Sequence, residues 1–157
     1  MHLSLPSILL LFPLLSLAAP LPSTLIISVL DASTGALLGT LNGHGNFSSP
    51  GPSYPYRSFP VATGSDVSRL QSYGAPGCTA ASGVLNCDAG QSEGGRFISI
   101  DGKVALEGTD GVWSVDARDD AAGGVDRFGL KVGIPVFVGD RGGVGIPVVL
   151  SSRKASG

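Results

Sequence analysis

The segment Arg96–Asp116 constrains the fold more than any other part of the chain, because it contains two Asp-Gly pairs. Asp-Gly is the pair that a two-residue type I′ hairpin turn prefers, since both turn positions need a positive φ angle. The pairs are Asp101-Gly102 and Asp110-Gly111. Two such turns fix the register of three strands, so the segment predicts a three-stranded antiparallel meander.

The register of this meander can be tested against the alternation of side chains between the two faces of a strand. The first turn predicts the opposite pairs Ile100–Lys103, Ser99–Val104, Ile98–Ala105, Phe97–Leu106 and Arg96–Glu107. The second turn predicts Thr109–Val112, Gly108–Trp113, Glu107–Ser114 and Leu106–Val115. One face then collects the apolar residues that we predict as core: Phe97, Val104, Leu106, Trp113 and Val115. We expect Trp113 to be a core residue rather than a platform for a ligand.

The composition agrees with a chain of short strands and tight turns. It contains 24 Gly and 11 Pro, with 43% hydrophobic and 14% charged residues. This hydrophobic fraction excludes wholesale disorder. We therefore predict an all-β fold, a small barrel or sandwich of about eight to ten short antiparallel strands.

The first half of the chain contains further strand signals. Apolar and β-branched residues at Thr24–Leu30 predict a strand, and Asp31–Gly35 has the composition of a turn. Ala36–Leu41 is the expected hairpin partner. Residues 42–56 are predicted as loop, and weaker strand signals follow at Arg57–Val61 and Val67–Ser72.

The last part of the chain, residues 127–157, contains one five-residue sequence that occurs twice. Val132–Val136 reads Val-Gly-Ile-Pro-Val and recurs as Val144–Val148, which predicts a C-terminal hairpin followed by a polar tail. Pro135 and Pro147 cannot donate to a strand ladder, so we expect these strands at an edge or with bulges.

The N-terminus has the pattern of a secretory signal peptide. Leu3–Ala19 contains no charged residue, and its dense apolar stretch, Ile8–Leu17, is shorter than the ~20 residues that a membrane-spanning helix needs. Small residues around Ala18 predict cleavage after this residue. We expect a signal peptide at residues 1–18 and a single β-rich domain at 19–157.

This pattern predicts a secreted protein, in the extracellular space or the cell wall, with no membrane segment after signal removal. An uncleaved anchor is the alternative, but Pro6 and Pro13 interrupt the segment. The polar C-terminus lacks the hydrophobic tail of a lipid-anchor signal.

The two cysteines, Cys78 and Cys87, are expected to pair, because disulfides are the default for a secreted chain. Asn46-Phe47-Ser48 is a glycosylation sequon in a segment rich in Gly, Ser and Pro. We therefore predict a disulfide and a glycan on Asn46.

The chain contains few of the residues that usually carry out catalysis. After signal removal the only histidine is His44, which we expect as an exposed loop residue. A pair of histidines for acid–base chemistry or a multi-histidine metal site is thereby excluded. We predict no catalytic residue, no metal and no cofactor.

The densest group of carboxylates lies in one run of the sequence. It comprises Asp116, Asp119, Asp120 and Asp126. The spacing does not fit a calcium loop, so we expect a solvated acidic turn, with weak calcium binding as the alternative.

The formal net charge is −2, which argues against electrostatic binding of nucleic acid or anionic lipid. The basic residues are scattered along the sequence, so we predict no nucleic-acid binding. We expect a monomer with a polysaccharide or protein partner.

Several segments in one order resemble a known module. They are Gly77–Cys87, Phe97, Gly102–Ala105 and Val112–Ala117. The order resembles the RNase T2-like C-terminal domain, a small β module of fungal secreted proteins, and the similarity covers Thr24–Asp126. The ribonuclease activity of that family lies in a separate domain with two His-containing motifs, neither of which is present here. The resemblance therefore implies a β module and transfers no catalytic residue.

Three functional hypotheses follow. The first is a secreted non-catalytic module that binds a wall polysaccharide, a host component or a partner protein. The second is a secreted hydrolase that uses paired carboxylates such as Asp116 and Asp119. The third is an accessory subunit of a ribonuclease.

Overall fold

The computed structural model describes residues 17–48, 53–72, 77–88, 94–116 and 133–155. These residues form strands and turns and contain no helix. The strands are β1 (Ala18–Ala19), β2 (Thr24–Asp31), β3 (Leu37–Leu41), β4 (Phe47–Ser48), β5 (Pro55–Pro60), β6 (Ser68–Ser72), β7 (Phe97–Ile100), β8 (Lys103–Leu106), β9 (Val112–Val115), β10 (Val136–Val138) and β11 (Ile146–Lys154). The all-β prediction is confirmed.

Six of these strands close into an antiparallel barrel. The order around the barrel is β2, β5, β6, β7, β8 and β11, and the long strand β11 pairs again with β2. Closure leaves the barrel strands without a continuous free edge. The barrel is closed by the pairing of β2 with β11, which lie near opposite ends of the chain.

The remaining strands extend the sheet beyond the barrel. β3 and β4 follow β2, whereas β9 and β10 follow β11. An isolated bridge between Phe47 and Ile134 joins the two extensions, with hydrogen bonds of 2.7 and 2.8 Å in both directions. The short strand β1 pairs with β7 through Ala18 and Ala19.

The core is one cluster of buried residues, contributed mainly by the barrel strands and by β3, β9 and β10. Side chains of β2 alternate, with Leu25, Ile27 and Val29 buried. The core residues predicted from the Arg96–Asp116 register are also buried, except that Leu106 is half-buried against the cluster. The indole Nε1 of Trp113 donates to the Val104 carbonyl at 2.9 Å, which satisfies the polar atom of this large buried side chain.

The first Asp-Gly turn has the geometry that the sequence predicts. Asp101 and Gly102 have φ angles of 50° and 77°, as a type I′ turn requires. All four pairs predicted between Phe97–Ile100 and Lys103–Leu106 are present in β7 and β8. Arg96 and Glu107 form the predicted cross-strand ion pair, with Nη2 donating to Oε1 at 3.2 Å.

The second predicted hairpin, around Asp110-Gly111, is wrong. β9 does not pair with β8, because the two strands follow one another along the same edge of β11, whose other edge pairs with β2. Both strands run antiparallel to β11, so the chain keeps its direction and passes through a loop in which the Asp110 carboxylate accepts the Val112 N–H at 3.0 Å. The Asp-Gly pair is used here in a side-chain-capped turn rather than in a two-residue hairpin.

The predicted C-terminal hairpin and polar tail are also corrected. β10 and β11 do not pair with each other but flank β9 on its two sides, with Val136 and Ile146 both opposite Val115. The expected tail belongs to β11, where Ser151–Lys154 pair with Leu25–Ser28 of β2. Residues 127–132 of the predicted C-terminal unit lie outside the described residues.

The predicted loop at residues 42–56 contains β4 and the first residues of β5. The first hairpin and the strands expected near Arg57–Val61 and Val67–Ser72 are present as β2–β3, β5 and β6.

Candidate functional site

The disulfide between Cys78 and Cys87 closes a small hairpin beside the barrel. Thr79 and Asn86 pair across it with two hydrogen bonds of 2.8 Å. On one side the Cys78 N–H donates to the Leu70 carbonyl of β6 at 2.7 Å. The predicted disulfide is confirmed, and its hairpin is anchored to the barrel wall.

The Gly-rich segment around His44 is an ordered turn rather than an open loop. The Asn42 side-chain oxygen accepts the N–H groups of His44 at 3.0 Å and Asn46 at 3.2 Å. The Asn42 carbonyl accepts a hydrogen bond from the buried hydroxyl of Tyr56. Burial raises the pKa of the Tyr56 phenol well above its usual range. The turn is therefore fixed by partners on both of its faces.

His44 differs from the expected exposed loop residue. Its Nδ1 lies 2.7 and 2.9 Å from the two carboxylate oxygens of Asp88, and its side chain is 28% exposed. The His44 carbonyl also accepts the Cys87 N–H at 2.9 Å. Asp88 was not among the predicted site residues, because nothing in the sequence relates it to a histidine 44 positions earlier. This His–Asp pair fastens the Asn42–Asn46 turn to the disulfide hairpin.

Asn46 of the sequon is half-buried. Its backbone N–H and carbonyl both take part in the turn through Asn42, and Gly133 packs closely against its side chain. Glycosylation of Asn46 stays a prediction.

The acidic run is described only at its first residue. Asp116 is half-buried directly after β9, whereas Asp119, Asp120 and Asp126 lie outside the described residues. Within the ranges that the structure describes, no group of three His, Cys, Asp or Glu residues is arranged to hold a metal ion.

The outer surface of β5 and β6 presents a second cluster, which the sequence reading missed. Phe59 lies directly opposite Arg69, and Arg57 lies directly opposite Gln71. Phe59 is 47% exposed, and both arginines are exposed. We refer to these four residues as the β5–β6 face. Strict alternation in β5, where Tyr56 and Ser58 point inward, is the sequence signal that could have identified it.

In comparisons with known proteins, no family model matches the chain, and neither a curated protein nor a solved structure matches it. Among the described residues, no helix has the length and apolarity to cross a membrane.

Proposed function

We propose that the chain is a secreted, non-catalytic β module that binds a polysaccharide through the β5–β6 face. One observation carries this proposal: the half-exposed ring of Phe59 lies on a barrel wall among side chains that donate hydrogen bonds. An isolated exposed apolar residue is ordinary, but an aromatic ring surrounded by convergent polar groups is typical of a binding surface.

The chemistry of this face suits a sugar. A pyranose ring has an apolar C–H surface and a rim of hydroxyl groups. The ring of Phe59 offers an apolar surface, and the neighbouring Arg69 guanidinium and Gln71 amide carry N–H groups of the kind that bind hydroxyl oxygens. Directly opposite residues on antiparallel strands have Cβ atoms about 4.5–5.5 Å apart, which is within the dimensions of one or two sugar units. The rigid strands lower the entropy cost of ordering the face on binding.

Two structural features support secretion. A buried disulfide is typical of proteins from oxidising compartments. The Ser58 hydroxyl also donates to the carbonyls of Leu21 at 3.1 Å and Pro22 at 2.8 Å, beyond the expected cleavage position, whereas cleavage after Ala18 would remove the Ala18–Ile100 pair of β1. The same cleavage would leave the Ser58 contacts in place.

The first test is retention of the purified, disulfide-bonded protein on insoluble chitin, β-glucan and cellulose and on immobilised polygalacturonate. We expect retention on one polymer, and we expect Phe59→Ala to weaken it about fivefold or more, because an aromatic stacking contact is worth about 1 kcal/mol. Leu37→Ala is the matched control, since Leu37 is 68% exposed on β3, away from the face. Equal losses in both variants, or no retention on any polysaccharide tested, would refute the proposal.

The other hypotheses predict different results with the same preparation. A paired-carboxylate hydrolase would release soluble sugar, and this release would disappear in Asp116→Asn and Asp119→Asn. The resemblance to the RNase T2-like C-terminal domain suggests an accessory role, which predicts co-purification with a ribonuclease. A blank RNase zymogram of the isolated chain is expected under the binding proposal.

A further inference from the structure

The strand register aligns arginines on the outer wall of the barrel. Arg69 of β6 lies opposite Phe59, and two residues further along β5 Arg57 lies opposite Gln71. Arg57 and Arg69 are therefore diagonal neighbours on one surface, with backbones about 7–8 Å apart.

The same alignment continues onto the next two strands. Arg57 also lies opposite Thr24 of β2, and two residues further Ile26 lies opposite Arg153 of β11. Opposite residues and residues two apart point to the same side of a sheet, so Arg153 shares the outer surface with Arg57. All three arginines are exposed. They form a staircase, one arginine in each successive row, with rows about 6.6–6.8 Å apart.

The barrel strands themselves contribute few carboxylates. In the six barrel strands, all of them described, Asp31 is the only acidic residue, and it lies at the opposite end of β2 from Thr24. The other described carboxylates lie in turns and loops or at strand ends, and one of them, Asp66, lies in the β5–β6 turn three residues before Arg69. The chain thus has a net negative formal charge but a locally cationic wall.

We propose that the ligand of the β5–β6 face is an acidic polysaccharide, a linear polymer with repeated carboxylate groups, which the staircase Arg69–Arg57–Arg153 engages along its length. This inference rests on the proposed function and names its substrate class. Arginine suits the role, because its planar guanidinium binds a carboxylate through two parallel hydrogen bonds. Phe59 provides the apolar contact to a sugar ring beside the first arginine.

A nucleic acid is the competing polyanion, and the surface fits it less well. Single-strand binders present successive aromatic platforms for the bases together with a groove of many cations. Here one half-exposed aromatic ring accompanies three arginines on a protein of negative formal charge. The spacing of single cations across strands suits a polymer of lower charge density.

The test compares two polymers with the same backbone, polygalacturonate and its fully methyl-esterified form, in affinity electrophoresis of the full disulfide-bonded chain. We expect retardation by the acid form and little by the ester, with weaker binding as NaCl increases. Each of Arg57→Gln, Arg69→Gln and Arg153→Gln should weaken binding about two- to fivefold, the range expected for an exposed ion pair. Arg141→Gln is the matched control, because it removes the same charge from the turn between β10 and β11. Urea unfolding of each variant separates a lost contact from a lost fold.

The outcomes distinguish this inference from the proposed function. Equal binding of both polymers, reduced only in Phe59→Ala, would keep the polysaccharide function and overturn the acidic ligand. Retention on RNA rather than polygalacturonate, with loss in the arginine variants, would identify a nucleic acid instead. Absence of binding to any neutral or acidic polysaccharide would overturn both. The polymer comparison with the wild-type chain needs no variant, so it decides the matter even if a substituted barrel fails to fold.

Discussion

At the scale of single residues, Asp31 shows how one carboxylate sets a turn. Its Oδ1 accepts the Ser33 N–H and the Thr34 N–H at 2.8 Å each, and the Ser33 hydroxyl donates to it at 2.6 Å. The Ser33 hydroxyl, followed by these backbone donors, lowers the pKa of Asp31 to about 2. The ionised form is therefore favoured in the β2–β3 turn.

A pH dependence follows from this lowered pKa. The pKa of an unfolded Asp is about 3.9, so the stabilisation is complete above that pH and is lost as the pH falls through about 2. We expect the difference in urea midpoint between the wild type and Asp31→Asn to be constant above pH 5 and to narrow between pH 4 and 2. An NMR titration of the Asp31 carboxyl measures its pKa in the folded protein. A titration midpoint near 3.9 would contradict the lowered pKa.

Gly45 has both a conformational and a steric requirement. Its φ is +85°, and an added Cβ would lie 2.9 Å from the Cys87 Sγ and 3.2 Å from the Leu85 Cγ. Gly64 has a similar φ of +76° but open space around it. We expect Gly64→Ala to cost about 1 kcal/mol of unfolding free energy from the left-handed backbone alone.

Gly45→Ala should cost about 2–4 kcal/mol, because steric overlap in a packed region adds to the backbone strain. Urea unfolding of both variants measures the difference. Equal costs at the two positions would show that the disulfide hairpin moves aside freely.

At the scale of elements, β11 pairs with three other strands, as many as β2 does. It pairs with β2 over seven residues, with β9 over four and with β8 over two. Its polar end, Ser151–Lys154, was expected to be a tail because it has no apolar alternation. In an antiparallel ladder, however, the backbone N–H and C=O groups pair whatever the side chains are.

A truncation tests this role. A chain that ends after Leu150 loses the four pairs of Ser151–Lys154 with β2, and we expect it to lose about 3 kcal/mol or more of unfolding free energy. A chain that ends after Ala155 keeps the ladder, including the 3.1 Å hydrogen bond from the Ala155 N–H to the Thr24 carbonyl. In thermal unfolding, we expect the chain that ends after Ala155 to have the same melting temperature as the full-length protein. Similar melting temperatures for both truncations would contradict the assignment.

At the scale of the whole molecule, the disulfide hairpin joins the barrel to its extension. The Cys78 N–H binds β6, whereas the Leu85 N–H donates to the Val136 carbonyl of β10 at 2.8 Å. The Asn42–Asn46 turn joins the same hairpin through His44 and Asp88. The disulfide therefore stabilises contacts among three parts of the fold: the barrel, β10 and the Asn42–Asn46 turn.

Removal of this link should lower stability by about 2–3 kcal/mol in the chain-entropy model for so short a loop. The double variant Cys78→Ala/Cys87→Ala, which avoids a buried polar group, measures this in urea. Wild-type protein unfolded under reducing conditions is the control and should match the variant. An unchanged free energy of unfolding would mean that packing alone holds the hairpin.

The features of the fold that could be predicted are those that depend on residues close together in the sequence. The hairpin at Asp101-Gly102 was predictable in full register, because a two-residue turn determines the pairs on either side of it. The all-β class was predictable from the composition. The disulfide was predictable because the chain contains two cysteines. These features depend on residues that are close in sequence.

The sequence by itself determined the hairpins β2–β3 and β7–β8, the burial of Phe97, Val104, Trp113 and Val115, and the all-β class. The tertiary structure alone decided that β8 and β9 pair with the same edge of β11, that His44 contacts Asp88, and that three arginines from β5, β6 and β11 share one outer surface. The physical reason is that pairing between remote strands uses backbone groups common to all residues. The order of strands around a closed barrel is therefore set by the packing of the whole chain, and the candidate binding surface is a consequence of that order.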